Sequence, residues 1–235
     1  MNNQRRLFSY KLTSDYGFAP NPFGGYLTLA TCKPGIRRSK RVGDWIAGFT
    51  SHDLTGDPVG RERLIFLMQI DMILPFADYY RSDRFAFKIP VEQSNDPYNA
   101  AGDNIYKPLI PNAQADDDFE RNPLAYHSLD DKHHDLSGKN VLIAIRFAYF
   151  GRGAIEIPAT IRPRVPLGQH PYGWLTCDPG IVDGLIDYVE GRAGLKAAVV
   201  DLPTGWRSDQ ASCAKRIGCS SLVVKPQPSE TRKKC

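Results

Sequence analysis

Leu27-Thr28-Leu29-Ala30-Thr31-Cys32, then Lys33-Pro34-Gly35-Ile36-Arg37-Arg38, then Gly43-Asp44-Trp45-Ile46-Ala47-Gly48-Phe49: these three words close the segment 15–49, and their order decides the fold class. Leu27 and Leu29 alternate with Thr28, which predicts a strand. Pro34 suits the first turn of a helix, where its missing N–H costs nothing, and the residues up to Arg41 fill a short basic helix. Gly43-Asp44 reads as a turn that releases the chain into a strand over 45–50. Strand, short helix and strand, with more strands around them, predict an α+β protein built on a small, strongly curved sheet or barrel with helices at its edge.

Upstream, Phe8, Tyr10 and Leu12 alternate with Ser9, Lys11 and Thr13, a half-buried opening strand. Residues 14–25 carry glycines and prolines and form a structured loop. Downstream, 64–74 is read as one long buried strand, 76–84 as one or two helical turns and 85–89 as another strand. Residues 91–139 hold few aliphatic clusters and many Asn, Asp and Pro, a long inserted loop of the kind that is either functional or disordered. Val141 opens a strong strand that Gly151-Arg152-Gly153 stops, and 155–165 reads as an edge strand or extended segment. Ile181, Leu185, Ile186 and Val189 fall at helical spacing, with Asp178-Pro179 as a start and Gly191 or Gly194 as a stop. A second short helix is expected over 208–217. These boundaries give a domain over 1–165, a helical extension packed on it over 166–224, and a disordered basic tail over 225–235.

At 235 residues the chain buries enough surface to fold without a disulfide or metal staple. A net charge of +4 permits a polyanionic partner without demanding one. The five cysteines include no C-x-x-C pair, which argues against a disulfide framework and a zinc ribbon. No apolar run approaches the roughly 18 residues of a membrane helix, and the N-terminus has no apolar h-region. A soluble, cytoplasmic protein in a reducing compartment, with no membrane partner, is expected.

Lys33 to Arg41 packs five basic residues into nine positions with no acid among them. Lys33, Arg37 and Arg38 there suit phosphate oxygens; the same run is equally a solvated helix face. Phe18 and Trp45 offer rings on which a base stacks, or they fill the core. Asn21, fixed between two prolines, reads a base edge or closes an Asx turn. Gly102-Asp103-Asn104-Ile105-Tyr106 is the one compact polar word in the long loop. Asp103 and Asn104 match donors and acceptors on a base, with Tyr106 capping the ring, and a loop-anchoring turn explains the same letters. Cys32, beside Lys33 at a helix start, is an activated thiolate or a buried structural cysteine. His127, His133, His134 and Asp135 form the one candidate metal cluster. Adjacent histidines point to different sides of an element, so no metal is expected. No Walker loop, G-x-G-x-x-G, G-x-S-x-G or zinc-deaminase signature is present, and no cofactor is expected.

Asp15-Tyr16-Gly17-Phe18-Ala19-Pro20-Asn21-Pro22-Phe23, Thr28-Leu29-Ala30-Thr31-Cys32-Lys33-Pro34 and Gly43-Asp44-Trp45-Ile46-Ala47-Gly48 resemble the nucleotide modification associated domain, type two. Gly102-Asp103-Asn104-Ile105-Tyr106 and Phe147-Ala148-Tyr149-Phe150-Gly151 match later stretches of that family. The resemblance covers about residues 7–165 and weakens towards 200. It implies a nucleotide or nucleic-acid ligand in phage or bacterial DNA modification or defence systems, and carries over no catalytic residues. The Gly-Asp-Trp-Ile strand after a basic helix is also similar to PUA-like domains, the EVE and YTH groups. That similarity implies a small β-barrel with an aromatic pocket for a modified base.

Two functions follow. One is a binding module, in which Lys33, Arg37 and Arg38 neutralise phosphate, Phe18 or Trp45 stacks, and Asn21, Asp103 and Asn104 read the edge. The other is an enzyme acting on a nucleotide or base, with Asp103, Asp44 or Cys32 as base or nucleophile and the long loop as a lid. A protein-interaction partner in a modification operon is a third.

Overall fold

A computed structural model describes residues 4–91 and 97–206, so the helix expected over 208–217 and the tail over 225–235 lie outside the described residues. The strands are β1 (Leu7–Lys11), β2 (Leu27–Leu29), β3 (Trp45–Phe49), β4 (Leu64–Gln69), β5 (Met72–Pro75), β6 (Tyr106–Pro108), β7 (Phe119–Arg121), β8 (Asn140–Ala144), β9 (Phe147–Tyr149), β10 (Trp174–Thr176) and β11 (Ala198–Val199). Short helices α1 (Pro34–Arg37), α2 (His52–Thr55), α3 (Phe76–Arg81), α4 (Pro97–Ala100) and α5 (Lys132–Leu136) punctuate the loops, and α6 (Pro179–Ala193) is the one long helix among the described residues.

The two longest apolar runs make the framework, and each breaks in its middle. β4 pairs antiparallel with β9, setting Leu67 opposite Ala148. β5 pairs antiparallel with β8, setting Ile73 opposite Leu142. At the corner the Asp71 carboxylate accepts the N–H groups of Ile145 and Arg146 at 2.6 and 3.0 Å. The single strands expected over 64–74 and 141–150 are therefore two each. One half of each run serves a six-stranded sheet, ordered β10-β1-β3-β4-β9-β11, and the other a three-stranded sheet, β2-β8-β5.

The six-stranded sheet is mixed, with β1 parallel to β3 and β9 parallel to β11. On one face Leu7, Trp45, Ala47 and Leu67 meet Val182, Leu185, Ile186 and Val189 of α6. On the other, Tyr10, Ile46, Phe66 and Tyr149 meet Leu27, Leu29 and Leu142 of the smaller sheet. With both faces covered, β1 is buried along its whole length rather than half-buried. α6 starts where its sequence predicts: the Asp178 carboxylate accepts the N–H groups of Gly180 and Ile181, and Gly194 ends it at φ 75°.

The strands build three open sheets, and no closed barrel forms among the described residues. The protein is mixed α/β, and the PUA-like barrel expected from the Gly-Asp-Trp-Ile word is not what these strands form. Residues 85–89 also depart from expectation. Residues 85–88 belong to a 3-10 turn, Asp83–Lys88, capped by Ile89, in which Phe85 and Lys88 are buried three apart while Phe87 is exposed. Cys177 is disulfide-bonded, a bond the cysteine spacing gives no sign of. No helix among the described residues is long and apolar enough to cross a membrane.

The long loop is not structureless. It carries the β6–β7 hairpin and α5, and its Ile105, Tyr106 and Phe119 pack with Phe76 and Tyr79 in a third core. That packing lays residues 127–135 against the end of β2.

Candidate active site

β2 runs through Ala30 and Thr31 into a sharp turn at Cys32 and Lys33. Both adopt left-handed backbone, φ 54° and 38°, which costs a non-glycine residue about 1–3 kcal/mol and persists only where the surroundings over-determine it. They do so here. The Cys32 N–H donates to Asp135 Oδ1 at 2.8 Å, and the Cys32 carbonyl accepts from Arg37 Nε at 2.7 Å. Arg37 is fully buried in α1 and also donates to the carbonyls of Asn140, at 2.9 Å, and Asp135, at 2.5 Å. One guanidinium thus ties the Cys32 turn to α5. Gly138 leaves room for it: a Cβ there would lie 2.4 Å from Arg37 Cζ.

His127 sits between the two ends. Its Nδ1 is 2.6 Å from Asp135 Oδ2, and its Nε2 is 3.4 Å from Cys32 Sγ. With the Nδ1 proton donated to the carboxylate, Nε2 presents its lone pair to the thiol; this tautomer is assigned from the partners. Arg121 Nη1 holds the His127 carbonyl at 3.0 Å, and the Phe18 ring packs edge-on against the imidazole, 4.8 Å between centroids. Tyr106 donates its hydroxyl to the same Asp135 Oδ2 at 2.8 Å. Burial, reinforced by the Asp135 charge, pushes the Tyr106 hydroxyl above its ordinary range, so it stays a donor. His127 and Asp135 are buried, while Cys32 is half-buried.

The arrangement is one that can pass a proton from the Cys32 thiol to Nε2, with the Asp135 carboxylate on the far nitrogen and the Arg37 cation close to the sulfur. Burial pushes the Arg37 guanidinium down from its ordinary range, with Asp135 and Cys32 opposing; arginine stays charged regardless. The ligating atoms of Cys32, His127 and Asp135 also lie within 4.8 Å of one another, a donor set zinc accepts. Cys32 faces Nε2, however, and Asp135 faces Nδ1.

The residues singled out from sequence divide into two groups. Cys32, Arg37, Tyr106 and Phe18 converge on His127 and Asp135, and Lys33 and Arg38 flank the turn. Lys33 is half-buried, donates to Gln169 Oε1 and lies over the Tyr10 ring at 5.3 Å. Arg38 is exposed and reaches the Ser137 carbonyl at 3.4 Å. The others lie apart from this cluster. Trp45 is 0 % exposed, so no face of its ring is open. Asn21 donates to the Ala101 carbonyl and accepts from Phe23 N and Lys88 Nζ, an Asx turn with a buried lysine. Asp103 accepts from Thr28 and Tyr79, and Asn104 donates to the carbonyls of Tyr79 and Phe85. Asp44 pairs with Arg6 and caps the Arg41 N–H. His133 is exposed beside Asp116.

Sequence reasoning does not join His127 and Asp135 to Cys32; it groups them with their chain neighbours as a candidate metal cluster. Their partner is a cysteine in a different element, which no local spacing reveals; the only signal was the coexistence of Cys, His and Asp in one chain. Two clefts, of about 500 and 310 Å³, lie elsewhere, and Cys32 lines neither.

The sequence matches the family described as nucleotide modification associated domain 2 over residues 4–209, a span that contains Cys32, His127 and Asp135. No curated protein and no solved structure matches the chain.

Proposed function

The chain belongs to the nucleotide modification associated domain 2 family, and from that premise we propose that it is a thiol enzyme acting on a nucleotide or nucleotide-derived group. Cys32 is the nucleophile, His127 its base, and Asp135 the group that orients the imidazole. The observation that carries this reading is the unbroken hydrogen-bond chain from Cys32 Sγ through both nitrogens of His127 to Asp135.

In the proposed step the Sγ proton moves to Nε2 and the sulfur pair forms a bond to an electrophilic carbon of the substrate. The leaving group departs with the proton that Nε2 held, and water or an acceptor nucleophile then releases the product from sulfur. Tyr106 and Arg37 position the relay. Lys33 and Arg38 flank the turn, and this reading assigns them the attraction of substrate phosphate. A stacking-and-reading pocket has less support, because Trp45, Asn21, Asp103 and Asn104 are buried and bonded within the fold.

Alkylation of Cys32 by iodoacetamide, followed against pH by mass spectrometry, tests the relay. The wild-type thiol is expected to react well below pH 8.5, the range of an unassisted cysteine, and His127→Ala to lose at least about tenfold of that rate at pH 6. Superimposable profiles would sink the assignment. A chelator wash that changes the wild-type profile would instead reveal a metal at Cys32. Turnover of a nucleotide panel, lost in Cys32→Ser, identifies the substrate.

A further inference from the structure

The two clefts that avoid Cys32 share Gly60, Glu62, Ala159 and Arg162, so they are adjoining parts of one groove. Its basic residues are Arg61, Arg162, Arg164 and Arg192. Two carboxylates also line it. Glu62 is buried and already matched: its Oε1 lies 2.6 Å from Lys11 Nζ and its Oε2 2.8 Å from Arg162 Nη2. Glu156 is exposed. Cations therefore outnumber carboxylates along the whole groove. Among the described residues, no carboxylate pairs with Arg61, Arg164 or Arg192.

Three of these guanidiniums are held in place by aromatic rings. Arg164 lies 3.5 Å over the Trp174 ring, Arg192 lies 5.5 Å from the Tyr188 centroid, and Arg162 lies 5.5 Å from that of Phe49. Arg162 spends Nη1 and Nη2 on the Glu62 carbonyl and Oε2; contact through the guanidinium face, as at Arg164 over Trp174, leaves the N–H edge for phosphate oxygens, which it grips in pairs. Apolar surface accompanies the charge: Tyr188 lines one end, and Val59 and Leu167 stay 62 % and 79 % exposed at the other. A single small anion needs neither that length nor that apolar surface. A polynucleotide strand uses both, placing phosphates on the arginines and sugar or base faces on the rest.

We infer that this groove binds the phosphate backbone of a nucleic-acid strand, as a site separate from Cys32. The inference does not rest on the thiol chemistry, and the two fail separately.

Fluorescence anisotropy with a labelled single-stranded oligonucleotide and its duplex, between about 50 and 200 mM salt, reads the site. The Arg61→Ala/Arg164→Ala/Arg192→Ala variant is expected to bind at least about tenfold more weakly, with the slope of log affinity against log salt reduced by about 2–3. Arg162 is left intact, because it partners buried Glu62. The control variant Arg84→Ala/Lys139→Ala/Lys196→Ala removes equal charge from outside the groove and is expected to keep both affinity and slope. Unchanged binding in the groove variant, an equal loss in the control, or equally tight binding of poly-glutamate would each overturn the inference. Cys32 alkylation, measured on the same samples, is expected to stay at the wild-type rate in both variants.

Discussion

Asp103 and Asp135 are two buried carboxylates built from nearly the same parts. Each accepts a tyrosine hydroxyl at 2.8 Å, from Tyr79 and Tyr106 respectively. Each lies near a fully buried cation, Lys88 for Asp103 and Arg37 for Asp135. The difference lies in where each network ends. Around Asp103 it closes on itself: Lys88 Nζ reaches the Asn21 and Tyr26 carbonyls, Asn21 Oδ1 and Thr28 Oγ1, and Thr28 returns to Asp103 at 2.6 Å. Around Asp135 it runs through His127 to a half-buried thiol held in strained backbone. A closed polar network fixes a fold. One that runs from a carboxylate through an imidazole to a half-buried thiol sets a base beside a sulfur.

The largest effect that separates the two falls on stability. Asp103→Ala leaves the Lys88 ammonium buried without its counter-charge and is expected to cost about 3–5 kcal/mol, read from the urea midpoint at unchanged m. The same variant should alkylate at Cys32 with the wild-type pH profile. A shifted profile would mean the two networks are one.

Lys88 gives the closed network a pH signature. Burial pushes its ammonium down to about 8, with Asp103 opposing. Between pH 8 and about 10 the unfolded chain holds a proton on this lysine that the folded protein has released. Stability is therefore expected to rise with pH across that window, by about 1.4 kcal/mol per unit. Above about 10 the sign reverses, since burial raises Tyr79 and Tyr149 and the folded protein keeps protons the unfolded chain loses. Unfolding titrations of Lys88→Met should lack the rise between pH 8 and 10. A rise that survives the substitution would place its source outside this network.

The same contrast explains what could be read from sequence. Local patterns were legible: the Leu27–Leu29 alternation, Pro34 at a helix start, the Gly43-Asp44 turn, and the α6 spacing with its Asp178 cap all became the elements they suggest. The corner at Asp71 was not, because an apolar run looks alike whether it serves one sheet or two, and only the distant Ile145 and Arg146 N–H groups mark the break. Closure of the sheet failed for the same reason, since strand order is a non-local property. At the site, the Asp103-Asn104 word stood out as compact and polar, yet its polarity is used inside the fold. His127 and Asp135 lie among ordinary loop letters, and only the folding of the long loop brings them to Cys32. The basic neighbours of Arg37 suggest a phosphate ligand or a solvated helix face, but its three carbonyl partners come from the turn and from residues 135 and 140.

The smallest effect is the sharpest test, because it uses two tyrosines matched in burial and bond length. Tyr79→Phe and Tyr106→Phe each remove one hydroxyl donor from a buried carboxylate and should cost a similar stability, about 1–2 kcal/mol. Their effects at Cys32 should differ. Asp135 Oδ2 is shared by Tyr106 and His127 Nδ1, so losing the hydroxyl concentrates the carboxylate's charge on the imidazole. The imidazolium then forms more readily, and the alkylation profile of Cys32 should move to lower pH in Tyr106→Phe. Tyr79→Phe touches no member of the relay and should leave that profile where it is. If both profiles move, the substitutions act through general loosening of the third core. If neither moves, Asp135 does not communicate with the thiol, and the two carboxylates are alike after all.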